Sequence, residues 1–340
     1  FFFGESNTAT HISMTSKYQW LSAQQHVLKR LEMYAGSATP IDHETHVFDA
    51  ADGKLVRRDA TVLYSAALLK VADEVLVNAC DNKVRCPDQK FIKASFAADG
   101  VFEVSNDGKT IAVELWPGTK RYIAEICFGE MMSGENFDDE AGRKVGGLNG
   151  VGVKISCILA LWFEVTCVNL DDNQIFYTCQ DAAKSLLSLK IDPLREDEQP
   201  TVTMGGLSFY RLDAQGLCTK DTIIRKGDTY FRNVGPIVYR QRFENNLAKT
   251  HSPELSKPTG KDRVSSTTVR WQVDLARLGM TAPLSADVLA VLRTRVFDLA
   301  ACAGDKLAVY IDGQRSSIKS LKDYANAMGS PLVGRDLHEA

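Results

Sequence analysis

The chain has 340 residues, with 40 Lys or Arg against 43 Asp or Glu, a net charge of -3 with His neutral; 44% of residues are hydrophobic and 24% charged. These proportions suit a globular protein with a sizeable core and exclude general disorder, a collagen-like repeat or a disulfide scaffold. The near balance of charge argues against a chain that coats nucleic acid or anionic membrane by bulk electrostatics, and the length predicts two domains or one enlarged by an insertion.

In chain order, Ser16 to Glu32 has helical periodicity, with Ser16 as cap and Gly36-Ser37 as terminator. A polar stretch follows, in which His43 and His46 lie three apart in a loop-like setting that does not match a helical zinc pair. Ala60 to Val84 reads as the strongest helix, free of Pro and Gly, with Leu63, Ala66, Ala67, Val71, Ala72 and Val75 as an apolar stripe. Phe91 to Phe96 and Val101 to Ser105 form an expected hairpin. A Gly-rich polar segment runs to about Val153, then Lys154 to Leu161 is expected to be helical and Phe163 to Asn169 and Ile175 to Cys179 to be strands.

Residues 181–236 differ in composition, punctuated by Pro193, Pro200 and Gly205-Gly206, and read as an insertion. It is expected to be a surface excursion between two strands without an assigned function; a partner- or DNA-contacting role, the alternative, would rest on Arg225, Lys226 and Arg232. Val238 to Phe243 and Thr267 to Val273 are strand candidates. A helix from Ser285 to about Ala301, a strand at Leu307 to Ile311, a turn at Asp312-Gly313 and a helix near Ile318 to Met328 complete the chain. Helices mixed with hairpins predict an α+β sandwich, helices on one face of a mostly antiparallel sheet. The eight cysteines are scattered without a C-x-x-C pair and read as reduced thiols of an intracellular protein. The longest apolar run, Ile155 to Val168, holds Glu164 and is shorter than the roughly 20 residues of a membrane span, so no membrane partner is expected.

Three elements carry chemistry. Glu74 and Asn78 lie four apart on the long helix and share a face, a carboxylate able to take a proton from water beside an amide oxygen suited to Mg²⁺. Gly146-Gly147-Leu148-Asn149-Gly150-Val151-Gly152-Val153-Lys154 runs into a helix, so backbone N–H groups and an ammonium converge as in a phosphate cradle, though the pattern is neither a Walker loop nor a dinucleotide fingerprint. Asn106-Asp107-Gly108-Lys109 ends a strand, where Gly admits either a flat ligand face or a simple hairpin turn.

In that order, with Thr267 on a later strand, these elements resemble the GHKL (Bergerat-fold) ATPases, and the local strings look like the eukaryotic and viral type II DNA topoisomerases. Asp73 to Lys83 is similar to the first motif, Val104 to Lys109 to the second, and Asn136 to Glu140 with 146–154 to the lid and third motif. Lys17-Tyr18-Gln19 and Arg30 to Ser37 resemble the N-terminal strap and first helix. Tyr239 to Asn246 and Val269 to Met280 also match.

The resemblance implies a two-layer GHKL sandwich over 38–335, preceded by strap and first helix (1–37) and lengthened by the insertion at about 181–236. It implies ATP and Mg²⁺ as cofactors, Glu74 as general base and Asn78 as the Mg²⁺ ligand. Asn106 and Thr267 would meet adenine, and Asn136 the sugar or phosphates. Asn149, Gly150, Val151, Gly152, Val153 and Lys154 would bind the triphosphate, and Tyr18 would reach the nucleotide of a second copy in an ATP-driven homodimer. Thr110, Ala112, Gly134-Glu135, Leu148 and Val151 depart from the family pattern. The transducer, the DNA-cleavage domain and its tyrosine are expected outside this chain, with DNA bound mainly there, in a nucleus, another DNA-holding compartment or a viral replication site. A GHKL chaperone, mismatch-repair protein or kinase and a silent nucleotide-dependent interaction module are the competing expectations.

Overall fold

The computed structural model describes residues 19–51, 54–114, 116, 121–134, 150–178, 201–204, 207–211 and 230–329. Helices α1 (Ala23–Lys29) and α2 (Leu31–Ala35) precede strands β1 (Ile41–Ala51) and β2 (Lys54–Tyr64), helix α3 (Ala66–Arg85), β3 (Phe91–Phe96) and β4 (Val101–Asp107). Helices α4 (Ile123–Gly129) and α5 (Gly152–Ile158) lead to β5 (Ala160–Thr178), β6 (Thr201–Met204), β7 (Leu207–Arg211), β8 (Tyr230–Glu244), β9 (Lys249–Thr250), β10 (Glu254–Ser256) and β11 (Ser266–Val273). Helix α6 (Ala286–Ala303), β12 (Ala308–Ile311), β13 (Gln314–Arg315) and α7 (Leu321–Ala327) follow.

The main sheet runs β13-β12-β3-β4-β11-β5-β8-β7-β6, with β9 and β10 also on β8. Among the described pairs only β12 with β3 is parallel, so the α+β, mostly antiparallel expectation holds. Of residues 181–236, the described part comprises the β6–β7 hairpin and the start of β8, and β7 pairs with β8.

The buried face of the sheet is organised as rows across strands, because side chains two apart share a face and paired residues stand opposite one another. One row is aromatic: Phe96, Phe102, Trp271, Phe163 and Phe243 are successive register partners from β3 to β8, each at most 3% exposed. Their rings meet at 5.1 to 6.4 Å, three of the four contacts edge-on or tilted toward it, the separations at which aromatic pairs add to simple burial. The next row is aliphatic but for its end, Ala94, Val104, Val269, Val165 and Gln241, and the one beyond it turns partly polar: Ile92, Asn106, Thr267, Cys167 and Tyr239. Hydrophobic burial thus fixes two rows, and the third carries functional groups to the sheet's end.

Helix α3 starts one residue after Ser65, whose hydroxyl accepts from Leu68 N–H, and buries Ala67, Leu68, Val71, Ala72, Val75, Leu76 and Ala79. The expected helical start at Ala60 is therefore corrected: 60–64 finish β2, with Val62 and Tyr64 buried and Leu63 exposed, a period of two that the apolar stripe concealed. His43 and His46 likewise lie in β1, not a loop; β1 and β2 form a separate antiparallel ribbon that packs on α6, where Thr294 Oγ1 accepts from Phe48 N–H at 3.3 Å. Helix α1 is capped by Ser22 through a capping box with Gln25, and Ser16 lies outside the described residues. Helix α4 occupies a segment read as irregular; its buried Ala124, Ile126 and Phe128 repeat every second residue and mask a seven-residue helix. The strands expected at 163–169 and 175–179 are one strand, β5, with a register shift between Asn169 and Asn173.

Candidate nucleotide site

A cavity of about 520 Å³ opens between α3, the start of α5 and the polar row of the sheet, within the range of pockets that enclose small molecules. Glu74, Asn78, Asn106, Gly150, Val151, Gly152, Val153, Lys154 and Thr267 all line it. Asn136, Asn149 and Tyr18 lie outside the described residues. Among the described residues, the cavity lining holds Lys70, Arg85, Lys109 and Lys154 and one carboxylate, Glu74, so within a chain of net charge -3 these residues make a locally cationic lining suited to a polyanion.

At one end, the Glu74 side chain is 18% exposed and ion-paired to Lys70, one turn earlier on α3. It packs against the Cα of Gly152, where an added Cβ would fall 1.8 Å from Oε2. Only glycine lets α5 begin this close to the carboxylate. Gly150 has φ +58° and accepts from Met132 N–H at 3.0 Å. Lys154 is 4% exposed and donates to the Ser133 carbonyl; burial lowers its pKa, because a charged ammonium loses hydration there. Ser133 is itself fixed, its hydroxyl 2.8 Å from the carbonyls of Ile126 and Glu130.

At the other end, Asn106 and Thr267 are register partners on β4 and β11. Asn106 is 7% exposed, lines the cavity and donates from Nδ2 to the Asp107 carbonyl at 3.0 Å. Thr110 Oγ1 lies 2.9 Å from Thr267 Oγ1. The Asp107 carboxylate accepts from Lys90 N–H at 2.9 Å and Phe91 N–H at 2.7 Å, so it anchors β3 and is not a ligand group. Gly108, at φ +96°, passes so near Cys86 that a Cβ would meet Sγ at 2.9 Å.

Sequence reading missed Lys70, although an i, i+4 Lys–Glu spacing on a helix was visible. It also missed Ser133 and Cys167, whose roles arise from contacts between distant segments. No cluster of three metal-ligating side chains occurs among the described residues. Asn78 is a single hard oxygen donor, which fits Mg²⁺ held mainly by phosphate oxygens and water.

A two-layer sandwich with a cationic pocket between one helix layer and the sheet, a helix-borne carboxylate and a glycine-lined helix start is the architecture of the GHKL fold. The chain is 29% identical over 321 residues to DNA topoisomerase 2 of Candida albicans, covering 94% of this chain and 17% of that protein. The corresponding figures are 30% over 311 residues, 91% and 17% for DNA topoisomerase 2 of Candida glabrata. In fold it is similar to the ATPase region of Saccharomyces cerevisiae topoisomerase II, with TM-score 0.67 and 27% identity, covering 93% of this chain and 65% of that one. The ATPase and transducer domains of DNA topoisomerase II from Balamuthia mandrillaris share the fold, with TM-score 0.67 and 24% identity over 93% of this chain and 64% of that one. No family model matches. Sequence and fold together relate this chain to the ATPase region of type II DNA topoisomerases, and it spans 17% of the length of these curated relatives.

Proposed function

We propose that the chain is the ATP-binding and ATP-hydrolysing gate of a type II DNA topoisomerase. ATP binding closes two copies on each other, hydrolysis resets them, and parts of a longer enzyme outside this chain bind and cut DNA wherever the cell or virus keeps it. One observation carries the reading: Glu74 and Asn78 from α3, the amides of 150–152 with Lys154, and Asn106 with Thr267 meet in one cavity.

Asn106 Oδ1 accepts from the adenine amino group, and Thr267 stands beside the ring. Gly150, Val151, Gly152 and Lys154 hold the phosphate chain, and the Lys154 ammonium exchanges the Ser133 carbonyl for phosphate oxygens. Asn78 would hold Mg²⁺, which would supply charge neutralisation to the phosphates. Glu74 takes a proton from the attacking water while Lys70 restrains its carboxylate. Positioning and charge stabilisation are what phosphoryl transfer to water requires. In this reading Asn136 and Asn149 belong to the lid and cradle and Tyr18 to the second copy's site, with the sequence resemblance as their support.

Glu74→Gln keeps the contact with Gly152 and removes the base. It is expected to bind a non-hydrolysable ATP analogue like the parent and to hydrolyse ATP at least a hundredfold more slowly. Hydrolysis at the parent rate would remove Glu74 from its role. A parent that binds the analogue but does not hydrolyse ATP would make the chain a silent nucleotide-dependent module.

A further inference from the structure

We infer that Arg295 is a positioning residue for the hydrolytic step: through a forked ion pair with Asp73 it fixes the rotation of α3, and with it the place of the neighbouring Glu74 carboxylate. The inference deepens the function proposed above and rests on it. Arg295 Nε and Nη2 both donate to Asp73 Oδ1, at 3.2 and 3.0 Å, and Nη2 also reaches Oδ2 at 3.2 Å. Neither residue is among the side chains lining the cavity, so the pair acts on a nucleotide only through the helix that carries Glu74.

Two contacts tie this part of α3 to α5. Glu74 rests on the Cα of Gly152, and the fully buried Ser156 hydroxyl donates to the Val71 carbonyl at 2.8 Å. Both are made by α5 and so hold α3 along one seam, about which a helix can still roll. Asp73 lies about 100° round the helix from Glu74 and meets α6 instead, and an anchor in that second direction opposes the roll. Arg295 is itself held in line. Its Nη1 donates to Asp298 Oδ2, one turn further along α6, at 2.5 Å, and Asp298 Oδ1 accepts from the Tyr324 hydroxyl of α7 at 2.6 Å. An ionised carboxylate only accepts, so Tyr324 gives its proton to Asp298 and its oxygen accepts from His46 Nε2 of β1 at 3.2 Å. All three guanidinium nitrogens thus have carboxylate partners, and the planar fork meets Asp73 in a geometry that a Lys ammonium, a point donor, does not reproduce. The Arg295 and Asp73 side chains are 36% and 28% exposed. An ion pair this open to water adds little to stability by itself, so turnover and folding separate the two roles the pair could have.

Arg295→Gln, Asp73→Asn, the double variant and Arg295→Lys in the 340-residue chain test the pair. Steady-state ATP turnover with Mg²⁺ is measured beside calorimetric affinity for a non-hydrolysable ATP analogue and a thermal melt. Arg295→Gln and Asp73→Asn are each expected to lower kcat about tenfold, short of the hundredfold scale of an ångström-sized misplacement because the α5 seam remains, and to leave analogue affinity within about twofold of the parent. The double variant should lose no more than either single one, as for two partners of one interaction, and Arg295→Lys should recover part of the rate. Additive losses in the double variant, or an affinity loss as large as that in kcat, would show that the two residues only support the fold and would overturn the inference. If Arg295→Gln does not fold, Asp73→Asn, which keeps the side-chain shape and leaves Arg295 on Asp298, is read by the same split between kcat and affinity. A parent that binds no nucleotide, or binds ATP without hydrolysing it, overturns the proposed function and this inference with it, whereas a hydrolysing parent whose variants keep the parental kcat overturns this inference alone.

Discussion

The Glu74 carboxylate rests on the Cα of Gly152, with no room between them for a methyl group. The proposed general base and the first residue of α5 therefore share one packing contact. Gly152→Ala is expected to push the carboxylate off its position and lower the ATP hydrolysis rate about a hundredfold, the scale for an ångström-sized misplacement. Steady-state kinetics beside a thermal melt would check it; an alanine variant with parental turnover would mean that the carboxylate does not act from this position.

Lys154 sets stability against binding. Its ammonium is buried and, among the described residues, is bonded to the Ser133 carbonyl, so Lys154→Met should raise the stability of the nucleotide-free protein by about 1 kcal/mol and weaken triphosphate binding by at least tenfold. Folding lowers the pKa of this group from 10.5, so the unfolded chain holds the proton more tightly. The cost of keeping Lys154 charged is present at neutral pH and fades as pH climbs toward 10.5. Urea denaturation of parent and Lys154→Met should accordingly differ most near neutrality and converge at high pH.

Asp107 belongs to the architecture of the site and not to its chemistry. Asp107→Ala leaves the N–H groups of Lys90 and Phe91 without their carboxylate and is expected to cost about 2–3 kcal/mol in urea denaturation. Asp107→Asn keeps an acceptor oxygen and should recover at least half of that loss. Equal stability of the alanine variant and the parent would contradict the anchoring role.

The sequence disclosed the sandwich and the buried helix because α3, α6 and β3–β4 alternate or repeat their apolar residues at one clear period. It hid the β1–β2 ribbon, in which Asp42, His43, Glu44 and His46 oppose Leu63, Val62, Thr61 and Asp59 respectively and no single apolar face dominates. Glu74, Asn78 and the glycines up to Lys154 were legible because each sits within a short local pattern. The contacts of Lys154 with Ser133, Thr110 with Thr267, and Glu74 with Gly152 join segments 21, 157 and 78 residues apart, a separation that only the folded sheet and helix packing bring to zero.

Outside the cavity, Glu244 accepts from Arg242 at 2.8 Å, Lys249 at 3.1 Å and the His251 ring at 2.8 Å. These partners, the His251 contact foremost, pull its pKa from the usual 4.5 to about 2. The contribution of this carboxylate to stability is thus complete above pH 4.5 and disappears as pH falls toward 2. Glu244→Gln should be less stable than the parent at pH 6 and indistinguishable from it near pH 2, measured by urea denaturation at both values.

The polar row of the sheet makes its own demand on folding accuracy. Asn106 and Thr267 line the cavity, and Cys167 is buried beside Thr267, only because β4, β11 and β5 pair in one register; a slip of a single residue would turn all three toward the opposite face. The irregularities of these strands fall outside that segment, at Gln272/Val273 on β11 and between Asn169 and Asn173 on β5. The ladder is therefore unbroken from the aromatic row to the polar row, and the rings of Phe102, Trp271 and Phe163 act as an alignment key that sets where a nucleobase would lie.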